Sequence, residues 1–102
     1  MIKLFKLINS ETVIADAEKN LDNEWILQNP HLIMIIPQPN GQLGVSLIDY
    51  LVGAIDDYTV TLKENKMICE PVDINRMMSN LWDNKMKDVL KQKTGIEVIS
   101  KF

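Results

Sequence analysis

The sequence predicts a mostly β domain that ends in one α-helix. Three observations predict it. Residues 24–51 read as two long apolar runs around Pro37-Gln38-Pro39-Asn40-Gly41-Gln42, the pattern of a hairpin. Residues 2–8 and 12–18 alternate apolar and polar positions around a turn. From Ile74 onward the apolar residues fall at helical spacing instead.

Composition bounds the class. The chain has 102 residues, enough for one domain around one core. No apolar run approaches the ~18 residues that span a bilayer. The segment Met1-Ile2-Lys3-Leu4-Phe5-Lys6 alternates like a strand and has no signal-peptide core. These features, with a single cysteine, Cys69, that allows no internal disulfide, predict a cytoplasmic protein with no membrane partner. Eleven basic residues face fourteen acidic ones, which argues against broad attraction to phosphate. Only one of the basic residues, Arg76, is an arginine, the side chain best suited to bidentate phosphate recognition.

In the first strand, residues 2–8, Lys3, Phe5 and Leu7 share one face and Ile2, Leu4, Lys6 and Ile8 the other. Asn9-Ser10-Glu11 is a tight turn. In the second strand, residues 12–18, Val13, Ala15 and Ala17 oppose Thr12, Ile14, Asp16 and Glu18. A polar loop, Lys19 to Glu24, follows. The third strand is apolar on both faces from Leu32 to Ile36, so it belongs to a barrel or sandwich core, or to a sheet under a second layer. Asn29-Pro30 interrupts it and predicts a bulge and a bend. Asn40-Gly41 predicts a two-residue hairpin with positive φ at both positions.

The fourth strand ends near Leu51 or Val52, and Gly53 to Asp57 is a connecting loop. Residues 58–63 and 66–70 read as a further strand pair around Glu64-Asn65. Asp73 is the expected N-cap of a helix over 73–95, with Gly95 just past its end. Its apolar residues, at 74, 77, 78, 81, 82, 86, 89 and 90, cover about 220° of surface, wider than the usual ~100° stripe. Residues 96–99 are a possible last short strand before the tail. Several strands are apolar on both faces as well, and this excess predicts interfaces between copies.

The order of elements resembles an Sm-like small barrel. The runs Thr12-Val13-Ile14-Ala15-Asp16-Ala17 and Leu27-Gln28-Asn29-Pro30, with the long apolar strand after them, resemble Sm-like proteins encoded by tailed phages of marine cyanobacteria. The resemblance covers residues 1–72. It implies a small, strongly bent antiparallel β-barrel carrying the C-terminal helix. It also implies assembly into homo-oligomeric rings of about five to eight subunits by edge-strand pairing, and binding of single-stranded RNA at loops near the pore. For a phage protein the location is the host cell cytoplasm.

The same resemblance directs attention to two loops. The family's aspartate and asparagine between the second and third strands match Asp22-Asn23, with Lys19 and Asn20 beside them. The family's second motif, Arg-Gly or Lys-His, is absent. Lys63, Asn65 and Lys66 are the closest polar groups in its place. The usual second-strand glycine is also absent, with Ala15 or Ala17 in its stead, and no N-terminal helix precedes the first strand.

The remaining chemistry-bearing residues have plainer readings. His31 is the only histidine and makes no metal site of usual spacing. Cys69 is expected as a small buried hydrophobe. Asp16, Glu18 and Asp49 read as a solvated sheet face rather than acid–base partners. Trp25, Tyr50 and Tyr58 are candidates for base stacking, with Trp25 and Tyr50 read first as core or interface anchors. Trp82, Met77, Met78 and Met86 are packing residues. The four glycines are scattered and form no phosphate loop. No nucleophile–base pair is legible and no cofactor is implied, so the chain is not read as an enzyme. The sequence expectation is a ring-forming Sm-like protein that binds single-stranded RNA; the alternative is an oligomeric structural or interaction protein of phage origin that binds none.

Overall fold

A computed structural model describes residues 1–51 and 58–94. The chain forms one antiparallel sheet of six strands and one C-terminal helix. The strands are β1 (Ile2–Lys6), β2 (Thr12–Lys19), β3 (Trp25–Pro37), β4 (Leu43–Asp49), β5 (Thr59–Leu62) and β6 (Val72–Asp73). The helix, α1, spans Arg76–Thr94. Their order across the sheet is β4-β3-β2-β1-β6, with β5 also paired to β3. No ladder joins β4 to β6 among the described residues, so the sheet has two open ends.

β3 organises this sheet. Its first half, Trp25 to Gln28, lies between β2 and β5. Its second half, from His31 to Pro37, pairs with β4. The break falls where the sequence predicts it. Gln28 faces Asp16 and His31 faces Ile14, so Asn29 and Pro30 oppose Ala15 alone. Asn29 takes φ 53°, a conformation asparagine tolerates better than most residues. This bulge reverses the alternation of β3. Leu27 before it and Leu32 after it both join the same core.

The two faces predicted for β1 and β2 separate two apolar clusters. Phe5, Leu7, Val13, Ala15, Ala17, Leu27 and Leu62 fill one side, flanked by Trp25, Leu32, Tyr50, Val60 and Met67. Ile14, Leu47, Met78 and Trp82 fill the other, flanked by Ile2, Leu4, Ile33, Val45, Ile74, Leu81 and Met86. Helix α1 supplies Met78 and Trp82, so it covers the second face of its own sheet. Full burial of such side chains contributes roughly 1.5–3 kcal/mol each. Val89 is half-buried, but Met77 is exposed and does not pack as expected.

Several local expectations are corrected. The β3–β4 hairpin forms, but its loop holds three residues, Pro39 to Gly41, and only Gly41 has positive φ (83°). Pro39 presets the first turn position, which places the left-handed residue third. Residues 58–63 and 66–70 do not pair with each other. β5 pairs with β3, Glu64–Lys66 is a 3₁₀ turn, and Met67 bridges to Leu7. The β3 edge beyond β4 is vacant and apolar, and it captures β5.

The helix N-cap is Asn75, not Asp73: Asn75 Oδ1 accepts from the Met78 amide at 2.9 Å. Asp73 is instead in β6, opposite Lys3, whose Nζ donates to it at 2.8 Å. The loop assigned to 53–57, Gly95 and the strand at 96–99 lie outside the described residues.

Candidate nucleic-acid interface

The seven candidate residues come from two loops far apart in sequence. Lys19 ends β2, contrary to the expected loop start, and the β2–β3 loop after it carries Asn20, Asp22 and Asn23. The connection after β5 carries Lys63, Asn65 and Lys66. Because β5 pairs with the start of β3, Trp25 sits opposite Leu62 and Lys19 opposite Trp25. This pairing draws the two loops together. Asp22, Asn23, Glu24, Lys63, Glu64 and Asn65 line one shallow cleft of about 280 Å³. Lys19 Nζ lies 3.5 Å from Glu64, tying β2 to the 3₁₀ turn. Lys66 follows Asn65 in the 3₁₀ turn, but its side chain does not line the cleft.

The loop is shaped by Asn20. Its Oδ1 accepts from the amides of Asp22 (3.0 Å) and Glu24 (2.8 Å), and its Nδ2 donates to the Glu24 carboxylate at 3.3 Å. The backbone closes around it, with Asn20 N–H donating to Glu24 O at 2.9 Å. This side chain therefore holds the turn, and its polar atoms are already engaged. Asn23 occupies the left-handed position, φ 61°. Asp22 and Asn23 are exposed, make no side-chain hydrogen bond among the described residues, and line the cleft.

The electrostatics are mixed. Among the described residues Lys63 is the only cation lining the cleft, against Asp22, Glu24 and Glu64. Lys19 partly offsets Glu64 and also lies over the Trp25 ring, 5.8 Å from its centroid. The sequence reading missed Glu24 and Glu64, whose importance depends on which loops meet. It also missed the Trp25 indole nitrogen, which is buried with no hydrogen-bond partner while its ring meets Phe5 edge-on at 5.6 Å. An apolar indole edge directly after a polar loop was the available signal.

Trp25 and Tyr50 pack beside the first cluster, as core anchors do. Burial chiefly, with the charges of Glu11 and Tyr58 added, raises the Tyr50 hydroxyl above its ordinary pKa of 10.0. Tyr58 accepts the Leu51 amide at 3.0 Å and donates to Pro30 O at 3.4 Å, so its hydroxyl pins the chain at the β3 bulge. Cys69 is exposed, contrary to expectation, because residues 66–70 form no strand that would bury it. Asp16 pairs with the N-terminal ammonium at 2.8 Å, and Asp49 faces His31. Asp16 and Glu18 do share a small groove with Ile26, Gln28 and Thr59. Among the described residues no cluster of His, Cys, Asp and Glu is arranged to hold a metal, and no helix is long and apolar enough to cross a membrane.

Comparison with known protein families and with characterised proteins finds no match for this chain.

Proposed function

We propose that the chain is a self-assembling, Sm-like small-barrel module that closes into a ring through its free sheet edges. The supporting observation is the pair of open ends. β4, at one end, bears exposed Leu43 and Ile48; the segment running into β6, at the other, bears exposed Ile68 and Val72. Two free edges on one chain, each bearing exposed apolar side chains, favour head-to-tail pairing, and such contacts form closed rings when the rotation closes. β4 and β5 both pair with the edge of β3 that faces away from β2, β5 along Trp25–Gln28 and β4 along His31–Pro37. That arrangement supports the Sm-like resemblance. The barrel would be sealed by neighbours, not by β4 meeting β6 of the same copy.

The ring would serve single-stranded RNA. Support for this comes from the convergence of the two candidate loops into one cleft. Repetition around a ring multiplies weak contacts. Asp22, Asn23 and Asn65 would meet base edges, and Lys19, Lys63 and Lys66 phosphate. A second reading, assembly without RNA, is favoured by the three carboxylates at that cleft. Native mass spectrometry on protein purified without nuclease separates them. A ring with nucleic-acid mass, lost in Lys63→Glu, supports the first. A bare ring with no salt-sensitive oligonucleotide binding supports the second. A monomer that Val72→Lys leaves unchanged overturns the ring itself.

A further inference from the structure

β3 has a third open edge that the ring does not use. Its ladder with β2 stops at Leu32, paired with Val13, while its ladder with β4 continues to Pro37, paired with Leu43. Residues 33–37 therefore project as a two-stranded arm with β4 on one side and, among the described residues, no strand on the other. Such an arm is a poor free surface. Met34 and Ile36 are exposed on one face, and Ile35 is 63% exposed on the other. From Leu32 to Leu43 there is no charged side chain, although charge is the usual protection of an edge.

We propose that β3 of one copy pairs antiparallel with β3 of a second copy along residues 33–37, joining two β3–β4 hairpins into one four-stranded sheet. The occupant is a second copy for three reasons. An antiparallel self-pair sets the segment against itself, and an uncharged segment opposes no like charges in doing so. The edge is short and stops at Pro37, which has no N–H to donate, so the usable length is the same on both partners. There is also space for the incoming strand: a cleft of about 370 Å³ runs beside Leu32 to Ile35, walled by Lys6, Ser10, Glu11 and Thr12. Lys6 is folded away onto Ser10 O (2.7 Å) and Thr12 Oγ1 (3.2 Å), and does not block it. The neutral Gln38–Gln42 tip of the second copy would pass that wall. The contact is two-fold and separate from the β4–β6 contact of the ring, so each stands or falls alone.

The test is a series of single cysteines at positions 33, 34, 35 and 36 in a Cys69→Ser chain, oxidised and run without reductant. Facing positions on paired strands bring Cβ atoms to about 4.5–5.5 Å, close enough to bridge at the two-fold centre. One position in the series is expected to give a covalent dimer, with the yield falling on either side. In parallel, Ile35→Lys is expected to halve the native mass while the far-ultraviolet circular dichroism is unchanged. No position crosslinking above a Leu21→Cys control overturns the proposal. So does a folded Ile35→Lys protein of unchanged mass. If Ile35→Lys misfolds, the cysteine series decides alone. Val72→Lys, which tests the ring, is expected to leave the arm crosslink in place.

Discussion

His31 Nε2 lies 3.0 Å from Asp49 Oδ1, directly across the β3–β4 ladder. The two atoms make no hydrogen bond, and Nε2 has no other partner among the described residues. Nδ1 is 2.7 Å from Asn29 O, a carbonyl that only accepts, so Nδ1 carries a proton. The imidazole, 3% exposed, meets Trp82 of α1 edge-on with centroids 5.8 Å apart. One side chain thus links the β3 bulge, the end of β4 and the helix.

His31→Ala is expected to destabilise the fold by about 2–3 kcal/mol, through lost packing and an unpaired Asn29 carbonyl. Asp49→Asn, at a carboxylate that is 55% exposed, should cost less than about 1 kcal/mol. Urea unfolding of the two variants checks the order. Equal losses would show that the contact with Asp49, and not the buried ring, carries the effect.

Trp82 is the largest buried side chain that α1 contributes. Trp82→Ala is expected to cost about 3–5 kcal/mol. The loss should begin with helix release, seen as reduced ellipticity at 222 nm before the β signal melts. Met77→Ala, on the exposed side of α1, should shift stability by less than about 0.5 kcal/mol.

Asn20 and Asn23 should respond in opposite ways. Asn20→Ala removes the acceptor for two loop amides and is expected to cost about 1–2 kcal/mol. Asn23→Gly suits the left-handed position and should be neutral or stabilising, whereas Asn23→Val is strained there. Thermal melts of the three proteins check this. If RNA binds the cleft, Asn23→Gly should weaken oligonucleotide binding with no loss of stability, because Asn23 rather than Asn20 has a free amide.

The Lys3–Asp73 pair should be visible in acid. Hydrogen bonding from Lys3, then its charge, holds the Asp73 carboxyl below its ordinary value of 3.8. A folded-state pKa below the unfolded one stabilises above the unfolded value and is lost as pH falls through the folded one. The difference in Tm between the parent and Asp73→Asn should be level from about pH 8 to 5 and close below about pH 4. It should also shrink in high salt, because the carboxylate is exposed.

At the alkaline end the sign reverses. Burial raises Tyr50, so its contribution is present below pH 10.0 and is lost as the pH rises through the folded-state value. Tyr50→Phe should remove a late-titrating component from the tyrosinate absorbance at 295 nm. An unchanged titration would place Tyr50 among the solvated phenols.

What the sequence determined by itself is what short-range geometry controls. Alternation separated Phe5 and Leu7 from Ile2 and Leu4, and Val13, Ala15 and Ala17 from Ile14, and those sides became two packed faces. Asn29-Pro30 marked the bulge because proline cannot serve a ladder there. Gly41 marked the hairpin, and helical spacing marked α1. The tertiary structure decided everything that depended on which edge was vacant. β5 went to β3 rather than to residues 66–70, and that choice alone brought Asp22 and Asn23 to Lys63 and Asn65. Asp73 went to Lys3, leaving Asn75 to cap the helix. Cys69, left outside any strand, went to the surface. Backbone preference and periodicity are properties of neighbours along the chain, whereas strand partners are selected by competition among distant segments for unpaired edges and apolar cover.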